Sequence, residues 1–104
     1  MKLTSGQVKQ FRAIGHRLNP VVIVSKGLTD NVRAEMERAL EDHELIKIRI
    51  NAGDRNEKKS LALEACRLCN AELIQLIGHV ALIYRAAQRP NAKLSNLLRH
   101  QELL

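Results

Sequence analysis

Leu45-Ile46-Lys47-Ile48-Arg49-Ile50-Asn51 alternates apolar and polar side chains with a period of two. Successive side chains of an extended chain point to opposite faces, so Ile46, Ile48 and Ile50 share one face while Lys47 and Arg49 share the other. This strand decides the fold, because both flanking segments have helical spacing instead. Upstream, Thr29 is a good N-cap, Asp30 complements the helix dipole, and Val32, Met36, Ala39, Leu40 and His43 recur along one side. Downstream, after Gly53, Asp54 and Glu57 have capping-box spacing. Leu61, Ala65, Leu68 and Cys69 then give the buried stripe of a further helix ending near Asn70.

Farther out, Val21 to Val24 is a run of four β-branched residues, read as a short buried strand. Before it, Thr4 and Gln7 form a second capping-box spacing, with Leu3 and Val8 at the positions of a hydrophobic staple. Val8, Phe11, Ile14 and Leu18 continue that helix on one face until Asn19-Pro20 stops it. Toward the C-terminus, Leu73–Ile77 and Val80–Tyr84 are apolar runs separated by Gly78-His79, which predicts a hairpin with a type II′ turn. The order αβαβαββ describes one α/β layer fold. A single domain over residues 1–86 is expected, followed over 87–104 by a basic tail with room for a short helix.

The charge is unevenly placed. Of a net +6, residues 1–29 contribute five bases and no acid, residues 30–44 hold six acids against Arg33 and Arg38, and the remainder holds ten bases against five acids. Segregation of this kind predicts one side that faces a polyanion and one acidic, solvated side. With one Phe, one Tyr and no Trp, the core must be built from aliphatic residues, and base stacking on aromatic side chains is not expected.

The junction Ser25-Lys26-Gly27-Leu28-Thr29, between the first strand and the second helix, is the most suggestive site. A helix N-terminus offers N–H groups and a positive dipole end to an anion, Gly27 lets backbone approach closely, and Lys26 adds charge. A glycine and a Thr cap also join strand to helix in many α/β proteins, so the junction gains weight only together with other bases. Lys9, Arg12, Arg17, Lys47, Arg49, the Lys58-Lys59 pair and Arg85 supply them.

Other chemistry is poorly supported. Cys66 and Cys69 have C-x-x-C spacing but sit late in a helix, away from the positive end that lowers a thiol pKa, and no second pair completes a zinc site. His16, His43, His79 and His100 form no ligand spacing with one another. There is no nucleophile elbow, Walker loop or H-E-x-x-H, so no catalytic residue, metal or cofactor is expected, nor a small-molecule substrate. With no long apolar run and no cleavable leader pattern, a cytoplasmic protein without membrane contact is expected.

Four stretches together resemble one family: His16-Arg17-Leu18-Asn19-Pro20-Val21-Val22, Gly27-Leu28-Thr29-Asp30-Asn31-Val32, His43-Glu44-Leu45-Ile46-Lys47-Ile48, and Gln75 through Arg85. The sequence is similar to the CRM domain, the chloroplast RNA splicing and ribosome maturation module, in its stand-alone bacterial YhbY form. The resemblance implies a four-stranded mixed sheet packed with helices, similar to the C-terminal domain of translation initiation factor three. It also implies an RNA-binding protein associated with precursors of the large ribosomal subunit, with a G-x-x-G loop touching RNA backbone. In this chain Gly27 matches the second glycine, whereas Val24 stands at the first and the loop is one residue shorter.

The leading expectation is therefore a monomeric ribosome assembly factor bound to ribosomal RNA through phosphates. The alternative is a protein-interaction module docking on an acidic partner, motivated by the amphipathic spacing of Leu94, Leu97 and Leu98.

Overall fold

The computed structural model describes residues 3–25 and 27–103. Its elements are α1 (Ser5–Gly15), β1 (Pro20–Val24), α2 (Asp30–His43), β2 (Leu45–Ile50), α3 (Arg55–Cys69), β3 (Glu72–Ile77), β4 (Val80–Tyr84) and a kinked 3-10 segment (Leu98–Leu103). The strands form one sheet in the order β1-β2-β4-β3, with β1 parallel to β2 and the other two pairs antiparallel. The αβαβαββ order and the mixed four-stranded sheet are those expected.

Local spacing accounts for most boundaries. Thr4 closes a complete capping box with Gln7, accepting its N–H at 3.1 Å while Gln7 Oε1 accepts the N–H of Thr4 at 2.9 Å. Thr29 Oγ1 accepts the N–H of Val32 at 3.2 Å to start α2. At α3 the expected box is half made: Asp54 caps the N–H of Glu57, but the Glu57 carboxylate reaches one residue farther back, to the N–H of Gly53 at 3.1 Å. Gly78 takes φ 57° and His79 does not share the positive φ, which is the type II′ pattern.

Two cores lie on the two sides of the sheet. On one, Val22, Val24, Ile46, Ile48, Ile50, Ala81 and Ile83 meet Met36 and Leu40 of α2 and Ala62, Ala65, Cys66 and Cys69 of α3. On the other, Leu45, Ile74, Leu82 and Tyr84 meet Phe11 and Ile14 of α1. The α3 stripe is thus carried by small residues, and the expected Leu61 and Leu68 pack at its margin. Gly15 permits the α1 contact, since a Cβ there would fall 2.7 Å from Leu82 Cδ2.

Two expectations need correction. The run Val21 to Val24 is not buried throughout: Val22 and Val24 are, but Val21 is 52% and Ile23 56% exposed, because β1 is an edge strand covered on one face only. The segment after Arg85, expected as a basic tail with room for a short helix, ends in the kinked 3-10 segment but is packed on the domain. Its residues return across the α2–β2 junction, where Ser95 and Asn96 are buried, Ser95 Oγ donates to Glu44 Oε1 at 2.7 Å, and Asn96 N–H donates to His43 O at 2.9 Å. Of the leucines that motivated an exposed docking helix, Leu97 packs with the α1 core and Leu98 is half-buried, while Leu94 stays exposed.

Candidate nucleic-acid interface

β1 and β2 run the same way, so the loops that follow them leave the sheet side by side. The N–H of Asn51 donates to Val24 O at 2.9 Å, and the N–H of Ile50 donates to His79 O at 2.7 Å, which draws the β3–β4 turn to the same end. The loop 25–29, the segment 51–54, the hairpin tip 78–79 and the N-termini of α2 and α3 therefore share one end of the sheet. Four strands at the usual spacing make this end about 14 Å wide.

Its first feature is the β1–α2 junction. Gly27 holds φ 80°, a left-handed conformation that side chains rarely adopt, and a Cβ built on it would meet nothing within 4 Å. The glycine is thus needed for the turn, and the surface over it is open. Ser25 and Thr29 are exposed and Leu28 packs on the α2–α3 core, while Lys26 lies outside the described residues.

The second feature is a groove of about 640 Å³ between the start of α3 and the edge strand β3, lined by Arg55, Lys58 and Lys59 with Leu73, Leu76 and Ile77. Arg55, Lys58 and Lys59 share a helical face because positions three and four apart are neighbours. Arg55 is the residue that sequence reasoning missed, although this spacing from the lysine pair was visible. Both helix ends carry their own acids, Asp30 on α2 and Asp54 with Glu57 on α3, which offset the dipoles. The attraction for an anion at this end consequently rests on the side-chain bases more than on the helix N-termini.

Not all expected bases are here. Lys47 and Arg49 share a sheet face, as the alternation required; Arg49 stands at the loop end with its Nε donating to Asn51 Oδ1 at 3.3 Å, and Lys47 lies one row lower. Lys9 and Arg12 are exposed on α1, a separate flank. Arg17 forms an exposed ion pair with Glu102 at 2.8 Å, a type of contact worth little and readily exchanged. Arg85 is a correction: at the opposite end of the sheet it pairs with Glu37 and donates to the carbonyls of Glu37 and Cys69, so its charge is turned inward.

Chemistry of other kinds finds little support in the geometry. Cys66 and Cys69 are buried, and desolvation pushes their thiols up to about 12 and about 11, far from the reactive thiolate. Among the described residues no three His, Cys, Asp or Glu side chains converge as a metal site, and no helix is long and apolar enough to cross a membrane. Phe11 and Tyr84 pack against each other in the core as a tilted pair, centroids 4.7 Å apart, so neither ring is available to a base.

The chain as a whole is similar to several known proteins. A Pseudomonas aeruginosa protein named as a probable RNA-binding protein is 49% identical over 100 residues, covering 95% of this chain and 96% of its own. A Haemophilus influenzae protein named as an RNA-binding protein is 38% identical, covering 90% and 97%. A Staphylococcus aureus protein of known solution structure superimposes with a TM-score of 0.76 at 29% identity, covering 90% of this chain and 98% of that one. The profile of the CRS1 / YhbY (CRM) domain matches residues 3–85, from before α1 through the end of β4, and the chain belongs to that family.

Proposed function

We propose that this protein binds RNA through the sugar-phosphate backbone at the loop end of its sheet, and that it serves in the cytoplasm as an assembly factor on precursors of the large ribosomal subunit. The observation that carries the reading is that Arg49, Arg55, Lys58 and Lys59 stand at the same end of the sheet as the Gly27 turn, the last three lining an open groove, in a chain whose only two aromatic rings are buried. Bases without stacking platforms hold phosphates and carry little sequence information. The relatives' names favour RNA as the polyanion. The ribosomal assignment rests on the family resemblance.

Four phosphate contacts give a slope of log K against log salt of about −2.8 to −3.6, and hence a loss of about 50- to 150-fold in affinity between 50 and 200 mM salt. The test is sedimentation of cell extract on sucrose gradients at both salts, with the protein probed across the fractions. Co-migration with large-subunit precursors at low salt and release at high salt is the expected result. Migration as free protein at both salts refutes the ribosomal assignment, and salt-insensitive binding to purified RNA refutes the phosphate mechanism.

A further inference from the structure

We propose that the uncovered half of the sheet's α1 side is a second docking surface, and that its occupant is an acidic amphipathic helix of a protein partner. This goes beyond the RNA reading and uses the neighbouring α1-side face, which meets the RNA surface only at Arg49 and Ile77. Ile23 stands opposite Arg49, Arg49 opposite Val80, and Val80 opposite Ile77, which makes one cross-strand row through all four strands. Alternation against the buried Val24, Ile48 and Ile50 turns this row away from α2 and α3. Ile23 is 56% and Ile77 61% exposed, and Val21 adjoins them at 52%. In the next row Lys47, Leu82 and Gln75 stand opposite one another and floor a groove of about 350 Å³ that opens where α1 ends.

α1 shows what this face accepts. Phe11 and Ile14 cover Leu45, Ile74 and Tyr84 and Gly15 sits on Leu82, but the chain then turns away and leaves the row of Ile23, Arg49, Val80 and Ile77 without a covering helix. A helix is about 10 Å across and the four strands span about 14 Å, so one more helix completes the layer. Contiguous exposed aliphatic side chains rimmed by charge are the mark of a protein contact.

Charge selects the occupant. Lys47 and Arg49 make no ion pair among the described residues. A second copy of the chain would set two such pairs against each other, which is repulsive. RNA would satisfy the bases but leaves Val21, Ile23, Ile77 and Val80 with no apolar partner, and the face has no exposed ring for a base to stack on. The chain's own C-terminal segment is seated elsewhere, on His43, Leu45 and the α1 core. A helix with aliphatic residues at i, i+3 and i+4 and flanking Asp or Glu meets both requirements.

The test places the photo-crosslinking residue p-benzoyl-phenylalanine at position 23 or 77 of the full chain in growing cells, with position 63 of α3, an exposed leucine off this face, as control. Expected are adducts from 23 and 77 but not 63 that resist ribonuclease and map by mass spectrometry to an acidic amphipathic segment. Their yield falls at least tenfold when Lys47→Glu and Arg49→Glu are added, and a synthetic peptide of the mapped segment shifts the amide resonances of Ile23, Arg49, Val80 and Ile77. Ribonuclease-sensitive adducts, an adduct of two copies of this chain, a basic mapped segment, or no adduct at either position each overturns the proposal. The neutral pair Val21→Thr and Ile23→Thr, exposed positions that do not line the α3–β3 groove, keeps RNA affinity within about twofold while losing the peptide, so failure here is distinguishable from failure of the RNA reading.

Discussion

Replacing Arg55, Lys58 and Lys59 together by Gln removes three of the four bases assigned to the loop end while keeping the polar stems that line the groove. Each lost phosphate contact takes about 0.7 from the salt slope for a single strand and about 0.9 for a duplex, so the slope falls by about 2.1 to 2.7 in all. At 0.15 M salt the same contacts are worth about 4- to 5.5-fold each, which predicts an affinity loss of about 50- to 170-fold. Fluorescence anisotropy with a fragment of large-subunit ribosomal RNA, titrated from 50 to 300 mM salt, reads both quantities. The side chains concerned are half-buried or exposed and make no ion pair among the described residues, so the far-ultraviolet circular dichroism should be unchanged. The comparison variant, Lys9→Gln with Arg12→Gln, removes two bases from the α1 flank and should cost less than one loop-end base. A triple variant that binds with the parental slope, or an α1 pair that carries the larger loss, refutes the placement of the interface.

Glu44→Ala leaves the Ser95 hydroxyl and the Ala87 N–H without their acceptor, and at about 1.5–3 kcal/mol per bond to a charged group it should lower stability by about 3–6 kcal/mol in urea unfolding, with Glu44→Gln recovering part. Glu41 is held below its usual 4.5 mainly by the N–H groups of Gln88 and Arg89, so its grip on that segment is present above pH 4.5 and is lost as pH falls through the lowered value. Amide exchange at Gln88 and Arg89, corrected for intrinsic rates, should accelerate over that acid range and lose its pH step in Glu41→Gln. Gly15→Val forces a side chain into Leu82 and should cost about 1–3 kcal/mol, read as an earlier thermal midpoint with α1 amides losing protection first.

What could be read in advance was local. The alternation of Leu45–Ile50, the Thr4, Thr29 and Asp54 caps and the Gly78-His79 turn are each set by residues within four positions of one another, and each appears where its spacing put it. What could not be read depended on partners far along the chain. Whether Val21 and Ile23 are covered is decided by where α1 packs, and α1 covers residues of β2, β3 and β4 but none of β1. The fate of residues 86–103 hinges on Glu44, which takes φ 64° at the end of α2 and turns its carboxylate toward Ser95, 51 positions away. No periodicity signals that bond. The site was half legible: Gly27 and the lysine pair could be named from sequence, but that Arg55 joins them, and that Arg85 is used up by Glu37, follows only once α3 and β4 are placed.

The acids of residues 30–44 have a structural use that charge alone did not suggest. Glu37 holds Arg85, Glu41 holds the backbone of Gln88 and Arg89, and Glu44 holds Ala87 and Ser95, all at the end of the sheet opposite the basic groove. Their charge persists, yet it need not weaken RNA binding. β2 is six residues long, roughly 20 Å, against a Debye length of about 8 Å at physiological salt. A charge at the acidic end therefore reaches the loop end at about 0.08 of its unscreened strength, whereas at 10 mM salt, where the Debye length is about 30 Å, it reaches at about 0.5. Asp42→Lys changes that end by two charges. With water's dielectric and four bound phosphates, it should raise RNA affinity by only about 1.3-fold at 0.15 M salt and about fourfold at 10 mM. An equal gain at both salts would mean that Asp42 lies close to the RNA, and that the acidic segment, not the groove of α3 and β3, borders the true interface.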